Sequence, residues 1–339
     1  MSPLLALLGV VSVAAAGTWV ALRLALRSAQ LDLPDGRRLH AIPTPRGGGL
    51  GPVVAWLLVI GVGAFGPGNI FDHPSAAITF CALAMTALIG AWDDRHDLSI
   101  RPRLLTHIVA AALVALSFVG DVTTPAAFAA IAALSVIGVA SINLHNFMDG
   151  ANGFLSLQAM FVLLMLAMLG AIRGDADVAL TGVLLAAALA AFLPFNFPRA
   201  RVFLGDVGSG SIGLMIGVMS LVAVHRGLLG WGSVLVLSSG FMVDAGATLV
   251  LRMRRTSRWH QGHRSHLYQW LWRRGWRAPA INALYQGWNL VIVLPSLLLL
   301  ERFANSLLWE FGAAVAVYGL GLLLWVVARR ALRRAHRAQ

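Results

Sequence analysis

The sequence contains no lysine, few acidic residues and a single cysteine, Cys81. One cysteine excludes an intrachain disulfide, and its place inside an apolar run indicates a small packing residue. Of the 339 residues only 12% are charged and 58% are hydrophobic, and the mean hydropathy is +0.78. A soluble domain of this length is not so apolar, so these values predict a polytopic membrane protein.

Eleven apolar runs are each close to the roughly 20 residues that a helix needs to cross a bilayer. They lie near residues 3–22, 49–66, 75–92, 104–120, 125–142, 154–172, 178–195, 210–225, 230–251, 279–300 and 306–328. We therefore predict an all-α polytopic membrane protein with about eleven transmembrane helices in a single domain, residues 1–339. Arg23 and Arg27 follow the first run and no basic residue precedes it, which predicts a retained anchor, an N-terminus outside and a cytoplasmic C-terminus.

The net charge of +12 comes entirely from arginine. Threading eleven spans from an outside N-terminus leaves only Arg173, Arg226 and Arg302 outside, as the positive-inside rule expects. Membrane topology and anionic lipid headgroups account for this charge, so the composition does not indicate nucleic-acid binding.

Three of the 14 acidic residues lie within five positions of each other, at Asp93, Asp94 and Asp97, after the third run. Adjacent carboxylates repel each other, so such a pair is costly unless a cation neutralises it. Mg²⁺ takes oxygen ligands, commonly one or two carboxylates plus substrate phosphates. The stretch predicts a metal-dependent phosphate site at a membrane face, with a solvated connecting loop as the alternative.

A glycine-rich stretch precedes the second run. Its three consecutive glycines, residues 47–49, let a backbone approach a ligand closely, and the amides at a helix N-terminus attract anions. Arg37, His40 and Arg46 would add charge-assisted contacts to phosphate. The alternative is a turn flanked by arginines that set the topology.

Polar side chains recur at every third position where the fifth run ends: Asn143, Asn146, Asp149 and Asn152. Amides at the mouth of an apolar helix are costly unless they are hydrogen-bonded, so the row predicts a hydrogen-bonding lip with one carboxylate. Helix capping is the alternative, although a cap needs only one such side chain.

Two further aspartates lie at or inside later apolar runs. Asp206 precedes the glycine- and serine-rich start of the eighth run, which suits either a nest of amides around phosphate or close packing of small residues, the latter at Gly213. Asp244 lies inside the ninth run, where an ionisable residue indicates a functional site by default. A structural hydrogen bond to a neighbouring helix is the alternative.

The longest polar segment covers residues 252–278. Its histidines recur every three residues beside an arginine: His260, His263, Arg264 and His266. Zinc suits this spacing, but the segment has no cysteine or acidic residue, which favours contacts to a polyanion. Leucines and tryptophans at 267–276 predict a short helix at the membrane interface.

Threaded through eleven spans, the five polar stretches face the cytoplasm. Carboxylates, arginines, histidines and glycines that converge there suit Mg²⁺-assisted phosphoryl chemistry, with one substrate from the cytosol and the other from the bilayer. A transporter or flippase is the alternative from another class. It predicts charged residues near the bilayer midplane and broken helices in paired halves, and only Asp244 fits that picture.

Five motifs occur in a fixed order over about residues 37–269. They are Arg37-Arg-Leu-His-Ala-Ile-Pro-Thr-Pro-Arg-Gly-Gly-Gly49, Trp92-Asp-Asp94, Asn143-Leu-His-Asn-Phe-Met-Asp-Gly150, Phe203-Leu-Gly-Asp-Val-Gly-Ser209 and His263-Arg-Ser-His-Leu-Tyr-Gln269. Together they resemble the signature loops of the polyprenyl-phosphate N-acetylhexosamine-1-phosphate transferases, glycosyltransferase family 4. The resemblance implies transfer of a sugar 1-phosphate from a UDP-N-acetylhexosamine to undecaprenyl phosphate, with release of UMP and with Mg²⁺, or Mn²⁺, as cofactor.

The resemblance also implies roles for single residues. Asp93 and Asp94 match the acidic pair, with Asp93 as the base on the lipid phosphate and Asp94 also a metal ligand. Asp206 matches the metal-binding aspartate. The other matches are the active-site lip (Asn143, Asn146, Asp149), positions near uracil (Asn196, Phe203) and the loop that reads the sugar diphosphate (His263, Arg264, His266).

Two features distinguish this chain from the family pattern. Asn152 stands where the family often has a second aspartate. The lack of lysine excludes the lysines expected in phospho-MurNAc-pentapeptide transferases of peptidoglycan synthesis, which favours the branch that begins O-antigen or other surface polysaccharides. The family further implies a bacterial inner membrane with the site on its cytoplasmic face, contacts with membrane lipids, and a homodimer. Direct attack and a route through an aspartyl-phosphate both stay open.

Overall fold

Helices make up nearly all of the regular structure. A computed structural model describes residues 2–28, 31–32, 42–65, 73–120, 122–255, 265–303 and 306–337. The helices are α1 (Pro3–Arg27), α2 (Leu50–Phe65), α3 (His73–His96), α4 (Ile100–Val119), α5 (Pro125–Met148), α6 (Phe154–Arg173), α7 (Ala176–Asn196), α8 (Gly205–His225), α9 (Trp231–Met253), α10 (Leu267–Arg273), α11 (Ala278–Trp288), α12 (Leu294–Phe303) and α13 (Leu307–Arg337). Strands β1 (Leu31–Asp32) and β2 (Thr44–Pro45) form a short antiparallel pair between α1 and α2.

The predicted polytopic membrane architecture is confirmed. In the part of the chain that the structure describes, 10 helices are long and apolar enough to cross a membrane. Each of the eleven predicted runs forms a helix, and α2 is the shorter apolar one. The tenth run is a single span, Ala278–Phe303, in which a π-helical segment, Asn289–Val293, joins α11 to α12. The short helix predicted within 267–276 is present as α10, and its place at a membrane interface stays a prediction.

Helix α8 lies at the centre of the bundle, where it packs against α2, α3, α4, α5 and α6. Small residues permit this close approach. A Cβ on Gly213 would lie 2.7 Å from the Ile142 Cα, which confirms the packing interpretation of Gly213. A Cβ on Gly49 would lie 2.5 Å from the Gly208 Cα, so the starts of α2 and α8 touch through glycine. Cys81, predicted to be a packing residue, is instead exposed on α3, because α3 packs through its other faces.

The helices alternate in direction, so the predicted polar stretches meet at one end of the bundle, hereafter the site end. The Gly48 amide donates to the Phe203 carbonyl at 2.9 Å and the Gly49 amide to the Leu204 carbonyl at 2.8 Å, which ties the glycine-rich stretch to the start of α8. The opposite end of the bundle carries ion pairs between helix ends, such as that of Arg226 with Asp175 at 2.9 Å. The described parts of the polar stretches thus lie at one end of the bundle, while the membrane face to which this end belongs stays a prediction.

Candidate active site

A cavity of about 690 Å³ opens at the site end. Its walls come from the β1–β2 segment, the ends of α3, α5 and α7, the start of α8, and α10. The charged and amide side chains that line it are Asp32, Arg46, Asp94, Asn146, Asp149, Asn152, Asn196, Arg199, Asp206 and Gln269. Carboxylates and arginines from distant parts of the sequence therefore share one space.

Asp94 joins the end of α3 to the start of α8. Its Oδ1 accepts a hydrogen bond from the Asp206 amide at 2.8 Å, and its Oδ2 accepts one from the Val207 amide at 3.1 Å. These amides belong to the first turn of α8, where negative charge is favourable, so Asp94 caps α8 from another helix. Gly205, at φ 78°, makes room for this cap, because a Cβ there would lie 2.5 Å from Asp94 Oδ2.

The Asp206 side chain is held by two other helices. Its Oδ1 accepts a hydrogen bond from Asn146 Nδ2 at 2.5 Å, and Asn146 also donates to Ser209 Oγ at 3.0 Å. Arg103 Nη2 approaches the same carboxylate oxygen at 3.4 Å. Asp94, Asn146 and Asp206, which belong to three separate stretches of the sequence, are thus brought together.

Asp93 is turned away from the cavity that Asp94 lines, because successive residues of a helix face different directions. It is only 4% exposed. Its carboxylate accepts the Leu98 amide at 2.6 Å and pairs with Arg103 Nη1 at 2.5 Å. Arg103 therefore bridges Asp93 and Asp206. Asp97 is exposed at φ 44° and does not line the cavity.

Asp149 directly follows α5 and lines the cavity, and no described residue donates a hydrogen bond to its carboxyl group. The pKa of Asp149 is raised to about 8, mainly by burial and then by the charges of Asp206 and Asp94, against the opposing charge of Arg46. A carboxyl group with this pKa binds a proton at neutral pH until a cation or a hydrogen-bond donor replaces it.

Asn196 and Phe203, the two positions matched to the uracil site, both line the cavity. Asn196 is buried, and its Oδ1 accepts the Gly153 amide at 2.6 Å while its Nδ2 donates to the Val202 carbonyl at 3.0 Å. Its side chain thus links the loop before α6 to the loop before α8. Asn143 does not line the cavity, and its amide instead donates to a carbonyl within α5.

Arg46 is the described member of the predicted phosphate-contacting group in the glycine-rich stretch. Its Nη2 bonds to Asp32 Oδ1 at 2.5 Å, and both side chains line the cavity. Arg37 and His40 lie outside the described residues.

The histidine-rich stretch is described only at its end. His266 is buried and stacks on Tyr268 with ring centroids 5.8 Å apart. Its Nδ1 lies 3.9 Å from Asp244, and it does not line the cavity. His263 and Arg264 lie outside the described residues. The zinc interpretation depends on His260 and His263, so it also falls outside the described part of the chain.

The carboxylates at the cavity form a donor set that Mg²⁺ accepts. Asp94, Asp149 and Asp206 offer oxygen atoms, and Mg²⁺ prefers oxygen ligands while keeping positions for water or substrate phosphates. Among the described residues, no three acidic, histidine or cysteine side chains converge closely enough to hold a metal by themselves. The residues fit a cation shared with a bound phosphate, and not a closed all-protein site.

Several residues of the site were not assigned to it from the sequence: Asp32, Arg103, Arg199, Ser209, Tyr268 and Gln269. Tyr268 and Gln269 stand inside one of the five motifs, which was a usable signal. The pairing of Asp32 with Arg46, and of Arg103 with two aspartates, has no signal in the sequence because the partners lie in separate segments.

Comparisons with known proteins agree with this geometry. The glycosyl transferase family 4 model matches residues 76–224, from α3 to α8. The chain is 30% identical over 259 residues to the decaprenyl-phosphate N-acetylglucosaminephosphotransferase of Mycolicibacterium smegmatis, a match that covers 68% of this chain and 63% of that relative.

Two further relatives are similar over smaller shares of this chain. The probable undecaprenyl-phosphate N-acetylglucosaminyl 1-phosphate transferase of Bacillus subtilis is 25% identical, over 60% of this chain and 58% of its own length. The phospho-N-acetylmuramoyl-pentapeptide-transferase of Deinococcus radiodurans is 33% identical, over 53% of this chain and 62% of its own length. The chain thus spans less than two thirds of the length of these relatives.

Proposed function

The chain belongs to the polyprenyl-phosphate N-acetylhexosamine-1-phosphate transferases of glycosyl transferase family 4, and from this premise we propose its reaction. It transfers an N-acetylhexosamine 1-phosphate from a UDP-sugar to undecaprenyl phosphate. The products are undecaprenyl-diphosphate-sugar and UMP. The reaction begins the synthesis of O-antigen or another cell-surface polysaccharide.

One observation carries the proposal: Asp94, Asp149 and Asp206 share a cavity with Arg46 at the end of a membrane-embedded helix bundle. A diphosphate needs positive charge around its oxygens, and carboxylates supply that charge indirectly by holding a cation. The cavity volume of about 690 Å³ lies within the range of sites that bind small molecules and cofactors. Its place at helix ends suits one soluble and one lipid substrate.

Asp94 and Asp206 are the residues we assign to Mg²⁺, because each has carboxylate oxygens at the cavity and hydrogen bonds fix both side chains. The Asp94 carboxylate accepts the Asp206 amide of α8, and the Asp206 carboxylate accepts the Asn146 amide of α5. When bound, the cation would neutralise diphosphate charge that the protein alone cannot balance. Asp149 is free of described donors, so its carboxyl group is available to the substrates or to the cation.

The remaining residues bind and orient the substrates. Arg46 contacts phosphate from the β1–β2 segment, and Asn196 and Phe203 contact the uracil. His263 and Arg264 read the sugar diphosphate, and Arg37 and His40 add charge near the glycine-rich stretch. His266 of the same motif takes no direct part, because it is buried away from the cavity. Chemistry of this type needs little beyond position and charge.

In the proposed step an oxygen of the lipid phosphate attacks the β-phosphorus of the UDP-sugar. A bond forms between them while the bond from the β-phosphorus to the bridging oxygen breaks, and UMP leaves with that oxygen. The role of Asp93 as a base on the lipid phosphate stays a prediction. Its contacts with Arg103 and with Leu98 favour a second task, which is to hold Arg103 against Asp206.

The protein acts in the bacterial inner membrane with the site end on the cytoplasmic face. The distribution of arginine supports this orientation, because positively charged loops remain inside. The same orientation puts the N-terminus outside and the C-terminus inside.

Transfer of phospho-MurNAc-pentapeptide is the second candidate, and the similarity to the Deinococcus radiodurans relative favours it. The absence of lysine speaks against it, as the resemblance implies lysines in that branch. For a transporter, charged residues should line a path at mid-membrane. Asp244 is the candidate for that path, but its carboxylate is engaged by donors from the surrounding helices.

A direct test uses purified protein with Mg²⁺, undecaprenyl phosphate and a panel of UDP-N-acetylhexosamines. We expect UMP release with one or more donors, a lipid product with the mass of undecaprenyl-diphosphate-sugar, and loss of both with EDTA. Turnover of UDP-MurNAc-pentapeptide alone would favour the second candidate. Uptake into proteoliposomes without UMP release would favour a transporter.

A further inference from the structure

Asp244 is buried inside α9, 3% exposed, and is the acceptor at the centre of a hydrogen-bond cluster. The Leu267 amide donates to both of its oxygens, at 2.8 and 3.0 Å. Tyr285 Oη donates to Oδ2 at 2.8 Å and Trp325 Nε1 donates to Oδ1 at 2.8 Å. Thr248, one turn further along α9, approaches Oδ1 at 3.3 Å.

The donors belong to four elements: α9 itself, α10, α11 and α13. A buried carboxylate costs several kcal/mol unless donors surround it, so this cluster is a fixed feature of the fold. The α13 contact is reinforced because the Arg329 guanidinium lies 4.7 Å from the centre of the Trp325 ring. The proposed reaction does not use Asp244, which is not part of the cavity lining.

Among these contacts, the one to Leu267 fixes the beginning of α10. Leu267 is the first residue of this helix of seven, and first-turn amides have no partner within their own helix. A helix this short is not stable by itself. Asp244 supplies a carboxylate acceptor at the helix N-terminus, where an acidic side chain is most favourable.

Helix α10 in turn provides one wall of the cavity, through Tyr268, Gln269 and Trp272. Tyr268 is fully buried between Phe154, whose ring centroid is 4.9 Å away, and Gly150, where any Cβ would collide with the Tyr268 hydroxyl. The wall is therefore attached at two points, to the lip beside Asp149 and to the Asp244 cluster.

We infer that Asp244 is a positioning residue that holds α10 against the cavity and thereby sets the fit of the sugar nucleotide. The effect on catalysis rests on the proposed function, while the effect on α10 does not. A residue that only stabilised the bundle would alter the amount of folded enzyme and the apparent kcat, whereas a displaced wall raises KM for the sugar nucleotide.

Two variants remove the contact by different routes. Asp244→Asn keeps the shape but loses the charge and one acceptor. Leu267→Pro removes the amide that donates to Asp244 together with a partly buried side chain. Proline is tolerated at this first helical position, after His266, whose backbone is extended at φ −65° and ψ 154°. Leu267→Ala keeps the amide and is the matched control. Thr248→Val removes a contact within α9 that does not involve α10.

The first readout is hydrogen–deuterium exchange of the purified protein over residues 266–273. We expect faster exchange there in Asp244→Asn and Leu267→Pro, with α8 unchanged, and wild-type exchange in Leu267→Ala and Thr248→Val. The second readout is steady-state kinetics. We expect KM for the UDP-sugar to rise about tenfold or more in the first pair, because small displacements of a binding wall have effects of this order.

Unchanged exchange over 266–273 in Leu267→Pro would overturn the inference, even if Asp244→Asn fails to fold. Faster exchange in all four variants would also overturn it, because the effect would then not depend on the Asp244 contact. If the wild-type protein turns over no UDP-sugar, the proposed function falls while the exchange experiment still decides the role of Asp244.

Discussion

The Asp94 carboxylate and the Asp206 backbone amide are joined by a hydrogen bond of 2.8 Å, although the two residues lie 112 positions apart. This bond makes one side chain both the cap of a central helix and part of the cavity lining. The position of α8 and the geometry of the cavity therefore depend on the same side chain. A change that moves Asp94 also moves the start of α8 and the Asp206 carboxylate.

Asp94→Asn should therefore impair both folding and turnover. An asparagine offers one acceptor for the two amides of Asp206 and Val207, so we expect the free energy of unfolding to fall by about 1 kcal/mol. UMP release should be lost, because the assigned metal ligands change. Asp97→Asn, in the same stretch but exposed, should match the wild type in thermal unfolding and in UMP release. Equal behaviour of the two variants would contradict the cap.

Arg103→Gln tests the bridge between Asp93 and Asp206. The variant removes the guanidinium charge that lies beside both carboxyl groups and leaves Asp93 with the Leu98 amide and the neighbouring Asp206 side chain. We expect a loss of about 2 kcal/mol in denaturant unfolding together with reduced turnover. Arg101→Gln is the matched control, because Arg101 is exposed on the same helical turn. If Arg103→Gln were as stable and as active as Arg101→Gln, the contacts of Arg103 with Asp93 and Asp206 would not be needed for the reaction.

Asp149 predicts a pH dependence of stability in the absence of divalent cations. Its folded-state pKa of about 8 lies above the ordinary value of 3.8, so the folded protein holds more protons at this group between those pH values. Its contribution to stability is full below about pH 4 and is lost as the pH rises through about 8. The Asp149→Asn side chain does not titrate, so the variant does not lose stability in this way. The melting temperature of the variant minus that of the wild type should therefore increase from pH 5 to pH 9.

Melting curves of both proteins in EDTA across that pH range measure the effect. Asp177→Asn, an exposed carboxylate at the opposite end of the bundle, should show no such trend. A constant difference between wild type and Asp149→Asn at all pH values would contradict the assignment.

Gly90→Ala should separate α3 from α8. A Cβ at Gly90 would lie 2.5 Å from the Asp206 carbonyl oxygen, so the helices must move apart and carry Asp94 away from its amides. Overpacking of this kind costs about 1–3 kcal/mol, and UMP release should fall with it. Gly246→Ala, where no atom lies within 4 Å of the added Cβ, should be neutral in both assays. If Gly90→Ala changed neither stability nor UMP release, the close contact between α3 and α8 would not be required for the site.

The architecture was largely readable from the sequence. Hydropathy runs predict helices because each span must satisfy its own backbone hydrogen bonds in lipid, a constraint that acts within about 20 residues. The sidedness of the polar stretches follows from counting these spans. The motif around Asp206 and the lip at Asn146 and Asp149 were assigned to the site in the same way, and the structure brings them together.

The sequence could not predict different roles for neighbouring residues of the same type. Asp93 and Asp94 are identical and adjacent, yet one binds Arg103 and the other caps α8. For Asp244 the sequence left two interpretations, a functional site or a structural hydrogen bond, and the structure surrounds it with donors from four elements.

The sequence by itself determined the number and placement of the helices and the side of the bundle on which the polar stretches gather, because hydropathy and chain direction are local properties. Only the tertiary structure decided which side chains face the cavity and which bind each other. That decision depends on helix rotation and on close contacts between glycines and distant backbones, and these are set by packing among segments far apart in the chain.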